Sequence, residues 1–363
     1  MEDELAPPSR RVRRQRLLSG AVWAATFGLV YVLVRKVLHV DFAHAVDLIR
    51  RAGPLTALIT LPYPTAMAID TLTGRLLLGT MGQKPNLHRL YAIRLASEGV
   101  LLSLPFGTAF AESLSMFLLY RVCKVAPTRG IAFTVGKRWL LLRAHALYVF
   151  LSGVLGFRLL AEHSVKLIHA PGLPYIVLAS MLLPFGIAAA MSATLEGGTA
   201  ARGVARVVES IPIAALQTWI RRRTEHVGET DAAMARVVRL GKRPIRIFTG
   251  LLLAAWLMDT VETWLILRVL GVHLGFVAVY SFEAGLSLVR SMAFFVPAGL
   301  GVQDLGYFAF LSALGVPDAL GVGAAFVLLK RTKELLWVFV GYGLLIFLRL
   351  KIARGGYERA IAA

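Results

Sequence analysis

Apolar runs of about eighteen residues or more recur through this chain, and Lys and Arg collect in the gaps between them. In water such runs would be a liability. In a bilayer they are spanning helices, because each helix satisfies its own backbone hydrogen bonds. Composition agrees. Hydrophobic residues make up 57% of the 363, charged residues 17%, and the mean hydropathy is +0.68. The formal net charge of +19 does not point to nucleic acid, since no stretch reads as a soluble basic face. Anionic lipid head groups are the natural partners of basic loops beside a membrane. A single cysteine, Cys123, excludes an intrachain disulfide framework and a cysteine metal site.

The expected fold class is an all-α polytopic membrane protein with six full spans and two re-entrant, Pro/Gly-broken hairpins. A basic tail covers residues 1–16, and its Ser-Arg-Arg start reads as a cytoplasmic anchor in preference to a twin-arginine signal. A first membrane half covers 17–193, with spans near 17–34, 55–78, from Pro127 or Lys137 to 160, and 173–193. Residues 194–246 form a basic cytoplasmic loop. Within it Val204, Val207, Val208, Ile211, Ala215, Trp219 and Ile220 recur at helical spacing, which predicts an amphipathic helix on the membrane surface or against the span ends. A second membrane half covers 247–349, with spans near 247–270 and 320–348, and 350–363 is a tail.

The hairpins are expected at 90–120 and 276–316. Pro105 and Gly107 split the first, and Pro297, Gly299 and Gly301 split the second. Each arm is too short to cross ~30 Å comfortably at 1.5 Å per residue. Broken backbone at this depth persists only where protein or a wet cavity surrounds it. The segments assigned to the cytoplasm hold 28 of the 40 Lys and Arg, and the opposite side holds seven. Both termini are therefore expected in the cytoplasm.

The halves share a spaced pattern. Pro105-x-Gly107-x4-Glu112 matches Pro297-x-Gly299-x4-Asp304. Asp70 and Glu262 each lie 35 residues before the proline, and Lys137-Arg138 and Lys330-Arg331 follow it at nearly equal distance. Three full spans separate the hairpins, and an odd number inverts the second copy. Inverted repeats with broken helices are a transporter architecture.

The string F-V-P-A-G-L-G-V-Q-D-L-G-Y, followed by L-L-K-R-T-K-E-L, resembles the flippase-like integral membrane domain of lysylphosphatidylglycerol synthases. The nearest subgroup by this resemblance is the hopanoid-biosynthesis-associated membrane proteins, which carry a V-P-x-x-x-G-V-Q-E-G-G-like motif and a later basic pair. Asp304 stands where that motif has glutamate, and Lys330 where arginine is expected. The first half matches more loosely, through Leu104 to Glu112. The resemblance implies an eight-segment domain in a bacterial inner membrane that moves or binds a lipid. It names no substrate.

Candidate site residues follow from the cost of charge and broken backbone inside a membrane. Breaking the helix at Pro297, Gly299 and Gly301 frees backbone groups, and a half-helix N-terminus attracts anions. Asp304 follows at once, with no evident structural task in the sequence. Lys330, Arg331, Lys333 and Glu334 sit ten to fourteen residues into the last span. Each unpaired cation there costs at least ~2.5–3.5 kcal/mol. Lys330 and Glu334 are spaced to pair, which leaves Arg331 and Lys333 to seek Asp304, Glu283 or Glu262. Arg138 and Glu112 are the first-half counterparts. Together these residues are expected to hold an anionic or polar lipid head group. Asp70 and Arg75, five apart, can meet only loosely.

No histidine pair has metal-ligand spacing, and neither a nucleophile-elbow motif nor a phosphate-binding loop is present. No catalytic residue, metal or cofactor is expected, nor the soluble transferase domain of the family's fused members. The leading reading is a lipid translocator or lipid-binding transport protein. The alternatives are a membrane-embedded enzyme acting on a polyprenyl or hopanoid lipid, with Glu112, Asp304 or Glu334 as acid or base, and a scaffold for lipid-biosynthesis enzymes.

Overall fold

A computed structural model describes residues 42–198, 227–292, 296, 299 and 301–362. The expected first span, the amphipathic helix of 204–220 and Pro297 lie outside the described residues. Within them the chain is helical apart from short connections, with no strand.

Helix α1 spans Phe42–Ala52 and continues through a 3-10 segment, Gly53–Thr60, into α2, Pro62–Thr80. Pro62 opens α2 at a position where its missing N–H costs nothing. Helix α3, Leu87–Ser103, is capped by Asn86, whose side chain accepts the His88 N–H at 2.9 Å. A three-residue turn through Phe106, at φ 53°, leads to α4, Gly107–Cys123. A Cβ at Gly107 would lie 2.1 Å from the Leu101 carbonyl oxygen, so the two arms meet this closely only because a glycine stands there. Then come α5 (Pro127–Leu155), α6 (Phe157–Ile168), α7 (Leu173–Ser180) and α8 (Leu182–Glu196).

Helix α9 (Val227–Val238) packs on α5 and α8 and buries Ala233, Met234 and Val237. Helix α10 is Lys242–Val269, α11 is Phe276–Met292 and α12 is Val302–Ala313. Both chain breaks thus fall where proline and glycine predict them. The last helix, α13, runs Ala319–Ala362, about 66 Å at 1.5 Å per residue and well beyond the span expected at 320–348.

By length and composition, Pro127–Leu155, Leu173–Glu196 and Lys242–Val269 are apolar enough to cross a membrane. Helices α2 and α13 have the length, but both carry charge in their interiors.

The packing repeats. In the first set α2 touches α3, α3 touches α4, α4 touches α5 and α2 touches α5. In the second, α10, α11, α12 and α13 make the same four contacts in the same order. Between the sets α2 packs on α10, and the other contacts are exchanged, with α3 on α13 and α11 on α5. Contacts of the form i with j and j with i mark a two-fold relation. The relation is broken where α5 also lies along α10, a contact much weaker between α13 and α2. Helices α3 and α13 approach through glycine, since a Cβ on Gly341 would meet the Leu95 carbonyl oxygen at 2.7 Å. Helices α11 and α5 are tied by Tyr280, whose hydroxyl donates to the Tyr148 carbonyl at 2.6 Å.

Of the apolar clusters among the described residues, two are large. One gathers Leu77, Leu119, Trp139, Leu140, Leu252 and Leu348, and the other Ile266, Val279, Tyr307, Phe310 and Phe326. Helices α10 and α13 contribute opposite ends to each core. Their charged middles lie between the two.

Candidate functional site

Asp70 of α2 begins the polar layer. Its Oδ2 accepts from Arg94 Nε at 2.6 Å and from Lys137 Nζ at 2.7 Å. Arg75 is exposed and takes no part. Arg94 also donates to Glu98, one turn further along α3. Glu98 Oε1 accepts the Tyr63 hydroxyl at 2.5 Å. The Tyr63 ring carries the layer across to the second set, because Lys333 Nζ sits 4.2 Å from its centroid.

Lys333 Nζ donates to both oxygens of Glu262, at 2.6 and 2.7 Å. Lys330 Nζ lies 3.5 Å from Glu262 Oε1 and 4.0 Å from Glu283 Oε1. Glu283 accepts the Tyr307 hydroxyl at 2.6 Å and the Thr263 hydroxyl, and Tyr307 in turn accepts from Gln303 at 3.0 Å. All of these side chains except Arg94 and Lys137 are essentially buried. Buried charge is tolerated only when paired and hydrogen-bonded. Each carboxylate named here has a cationic partner.

The outermost pair is where the sequence expectation needs correcting. Lys330 does not pair with Glu334. Arg331 takes Glu334 instead, through Nη1 at 2.5 Å, and gives Nε and Nη2 to Asp304 Oδ1 at 3.2 and 2.6 Å. Glu262, on a neighbouring helix, outcompetes the i,i+4 partner for Lys330 because it already faces the core. Asp304 also has a structural task. Its Oδ2 accepts the Gly301 N–H at 3.0 Å, so the anion at the N-terminus of α12 is the protein's own carboxylate.

The repeat register survives in the pairing itself. Lys137 goes to Asp70 as Lys330 goes to Glu262. Arg138 faces Glu112 as Arg331 faces Asp304. The two outer pairs differ in tightness. Arg331 and Asp304 are 16% and 4% exposed and in direct contact. Arg138 and Glu112 are 50% and 41% exposed and 3.8 Å apart.

A cavity of about 710 Å³ lies between the sets. Six cations line it, Arg94, Lys137, Arg138, Arg290, Lys330 and Lys333, and so do six carboxylates, Asp70, Glu98, Glu112, Asp259, Glu262 and Glu334. Leu141, Leu142, Leu183, Pro184, Ile187 and Leu252 supply an apolar wall. Gly299, at φ 63°, brings its backbone to the lining, whereas Gly301, at φ 80°, serves as the N-cap of α12. Arg331 and Asp304 are outside the lining, although their sequence neighbours Lys330 and Gln303 belong to it. Among the described residues no three His, Cys, Asp or Glu side chains converge to hold a metal.

The family model for the lysylphosphatidylglycerol synthase TM region matches residues 16–329. The chain belongs to this family. It is therefore an integral membrane protein of lipid-related function. No curated protein and no solved structure matches the chain. The family match ends just before Lys330, so the basic cluster of α13 adjoins it and lies outside.

Sequence reasoning missed Arg94, Glu98, Asp259 and Arg290 as members of this family protein's polar layer. The signal was present, since all four interrupt apolar helices. Arg94 falls among the basic residues assigned to the cytoplasmic side, yet it lines the cavity together with Lys137 and with Arg138, the expected first-half site residue.

Proposed function

We propose that this protein translocates a polar membrane lipid, holding the head group in the cavity between the two helix sets while the acyl chains run along its apolar wall. One observation carries the reading: a cavity of about 710 Å³, lined by both charged and apolar side chains, lies at the junction of two helix sets that pack in the same order. A head group needs the charged residues, and its chains need the apolar ones.

The accompanying topology is six full spans and two re-entrant hairpins, α3–α4 and α11–α12, in a bacterial inner membrane with both termini cytoplasmic. Three candidate spans lie between the hairpins, and this odd number supports an inverted repeat. The exchanged contacts of α3 with α13 and α11 with α5 support the same arrangement. In such a frame Arg331, Lys330, Lys333, Glu334, Asp304 and the Pro297, Gly299 and Gly301 break form one half of the site, and Arg138 and Glu112 belong to the other. The resemblance to hopanoid-associated proteins makes a hopanoid a substrate to test beside glycerophospholipids.

A membrane-embedded enzyme would need one of these carboxylates as acid or base, and each is held by a cation. Reconstitution in liposomes with labelled lipids separates the readings. The expected result is leaflet exchange without chemical change. Conversion of the lipid, or exchange equal to empty liposomes, overturns the proposal.

A further inference from the structure

Among the described residues, six cations and six carboxylates cancel one another across the cavity lining. A lining built to capture an anion would carry surplus cations, as the loops of this +19 chain do. We infer that the cavity takes a lipid with a zwitterionic head group, one anionic and one ammonium, by ion-pair exchange with Arg138 and Glu112. This rests on the reading of the cavity as a lipid site.

The physical reason is that charges in such a place cannot be left unpaired. An anionic head group binding Arg138 strands Glu112 beside it. A zwitterion replaces the pair member for member, its phosphate on Arg138 and its ammonium on Glu112, and nothing is stranded. The pair that must yield is also the most exposed of the ion pairs lining the cavity. At 3.8 Å it is beyond hydrogen-bonding distance, and both side chains are about half exposed. Its counterpart, Arg331 with Asp304, is in direct contact and buried, with no such opening.

A second observation points the same way. Asp70, Ser97 and Trp256 are lining residues, and their Oδ1, Oγ and Nε1 atoms are buried with no hydrogen-bond partner among the described residues. The first is an acceptor, the last a donor, and the serine hydroxyl can serve either way. Orphaned buried polar atoms are costly, so these side chains gain by turning toward a ligand that carries both an anionic and an ammonium group.

The test is lipid retention, read by native mass spectrometry on the full chain exchanged into micelles holding equimolar phosphatidylethanolamine and phosphatidylglycerol. The expected result is retention of the zwitterionic lipid about tenfold over the anionic one. Glu112→Gln leaves Arg138 without its carboxylate, so the ratio should fall by about tenfold as the anionic lipid gains. Arg138→Gln should reduce the zwitterionic lipid by a similar factor. Both side chains are half exposed, so neither change should unfold the protein, which gel filtration checks.

Equal or preferential retention of phosphatidylglycerol by the natural chain overturns the inference, as does a ratio unmoved by Glu112→Gln. Displacement by soluble phosphoethanolamine as effective as by the whole lipid overturns the lipid as ligand. Retention of neither lipid removes the cavity reading as well. A ten-to-one preference without leaflet exchange removes translocation alone and leaves this inference standing.

Discussion

Glu262→Gln is the sharpest test of the polar layer. Glu262 lies in the interior of α10 and is 1% exposed. Its two oxygens take both bonds from Lys333, and Lys330 stands 3.5 Å away. Glutamine keeps the shape and an acceptor but removes the charge. Lys330 then keeps Glu283, at 4.0 Å, as its carboxylate and the Tyr307 and Phe326 rings as cation–π neighbours, and Lys333 keeps Tyr63. Removing one partner of a buried pair costs about 3–5 kcal/mol, because the other charge is left uncompensated. At about 2 °C per kcal/mol for a large chain, the thermal midpoint should fall by roughly 6–10 °C. Lys333→Met alone should cost less, since Glu262 still has Lys330. The double variant, Glu262→Gln with Lys333→Met, removes one charge of each sign and should recover much of the loss. The assay is equilibrium unfolding in mixed micelles, with the four proteins treated as a double-mutant cycle. A Glu262→Gln loss below about 1 kcal/mol, the range of exposed pairs, refutes the reasoning, and so does a double variant whose loss is the plain sum.

Gly107→Ala should destabilise the α3–α4 hairpin by about 1–3 kcal/mol, since the new methyl meets a backbone carbonyl that cannot swing away; Gly285→Ala, with open space around it, should be neutral or stabilising by up to about 1 kcal/mol, and thermal midpoints decide. Arg331→Lys should retain part of the leaflet exchange and Arg331→Ala little, because lysine keeps the charge on Asp304 and Glu334 but not the fork; full exchange by a merely less stable Arg331→Ala protein would make this pair purely structural. Asp304→Asn should cost about 2–3 kcal/mol in the same unfolding assay, as Arg331 loses a charged partner while the Gly301 N–H keeps an acceptor. Topology reporters after Ser164 should read periplasmic, and reporters at Lys84, Val125, Glu229 and Ala363 cytoplasmic; opposite faces for Lys84 and Val125, which flank α3–α4, would make the first hairpin a full span.

Much of the fold was written locally. Apolar run length marked α5, α7–α8 and α10 as spanning segments, and no partner is needed for that reading because a bilayer penalises every unpaired backbone group. Proline and glycine marked both helix breaks, at Phe106 and at Gly299–Gly301, since these residues limit or widen backbone angles wherever they stand. The spacing of Asp70, Glu112 and Lys137-Arg138 against Glu262, Asp304 and Lys330-Arg331 showed which residues correspond. Pairing was another matter. Which carboxylate holds which cation depends on distances across helices, and Glu262 reaches Lys330 and Lys333 over a gap of about seventy residues. Local spacing offered Glu334 to Lys330 at i,i+4 and to Arg331 at i,i+3, and tertiary packing decided between them by giving Lys330 to Glu262. Arg94, Lys137 and Arg138 look like flanking charge in one dimension. Only the packing of α3 on α13 and of α5 on α10 and α11 turns them toward a shared cavity, because burial is a property of what surrounds a residue and not of the residue itself.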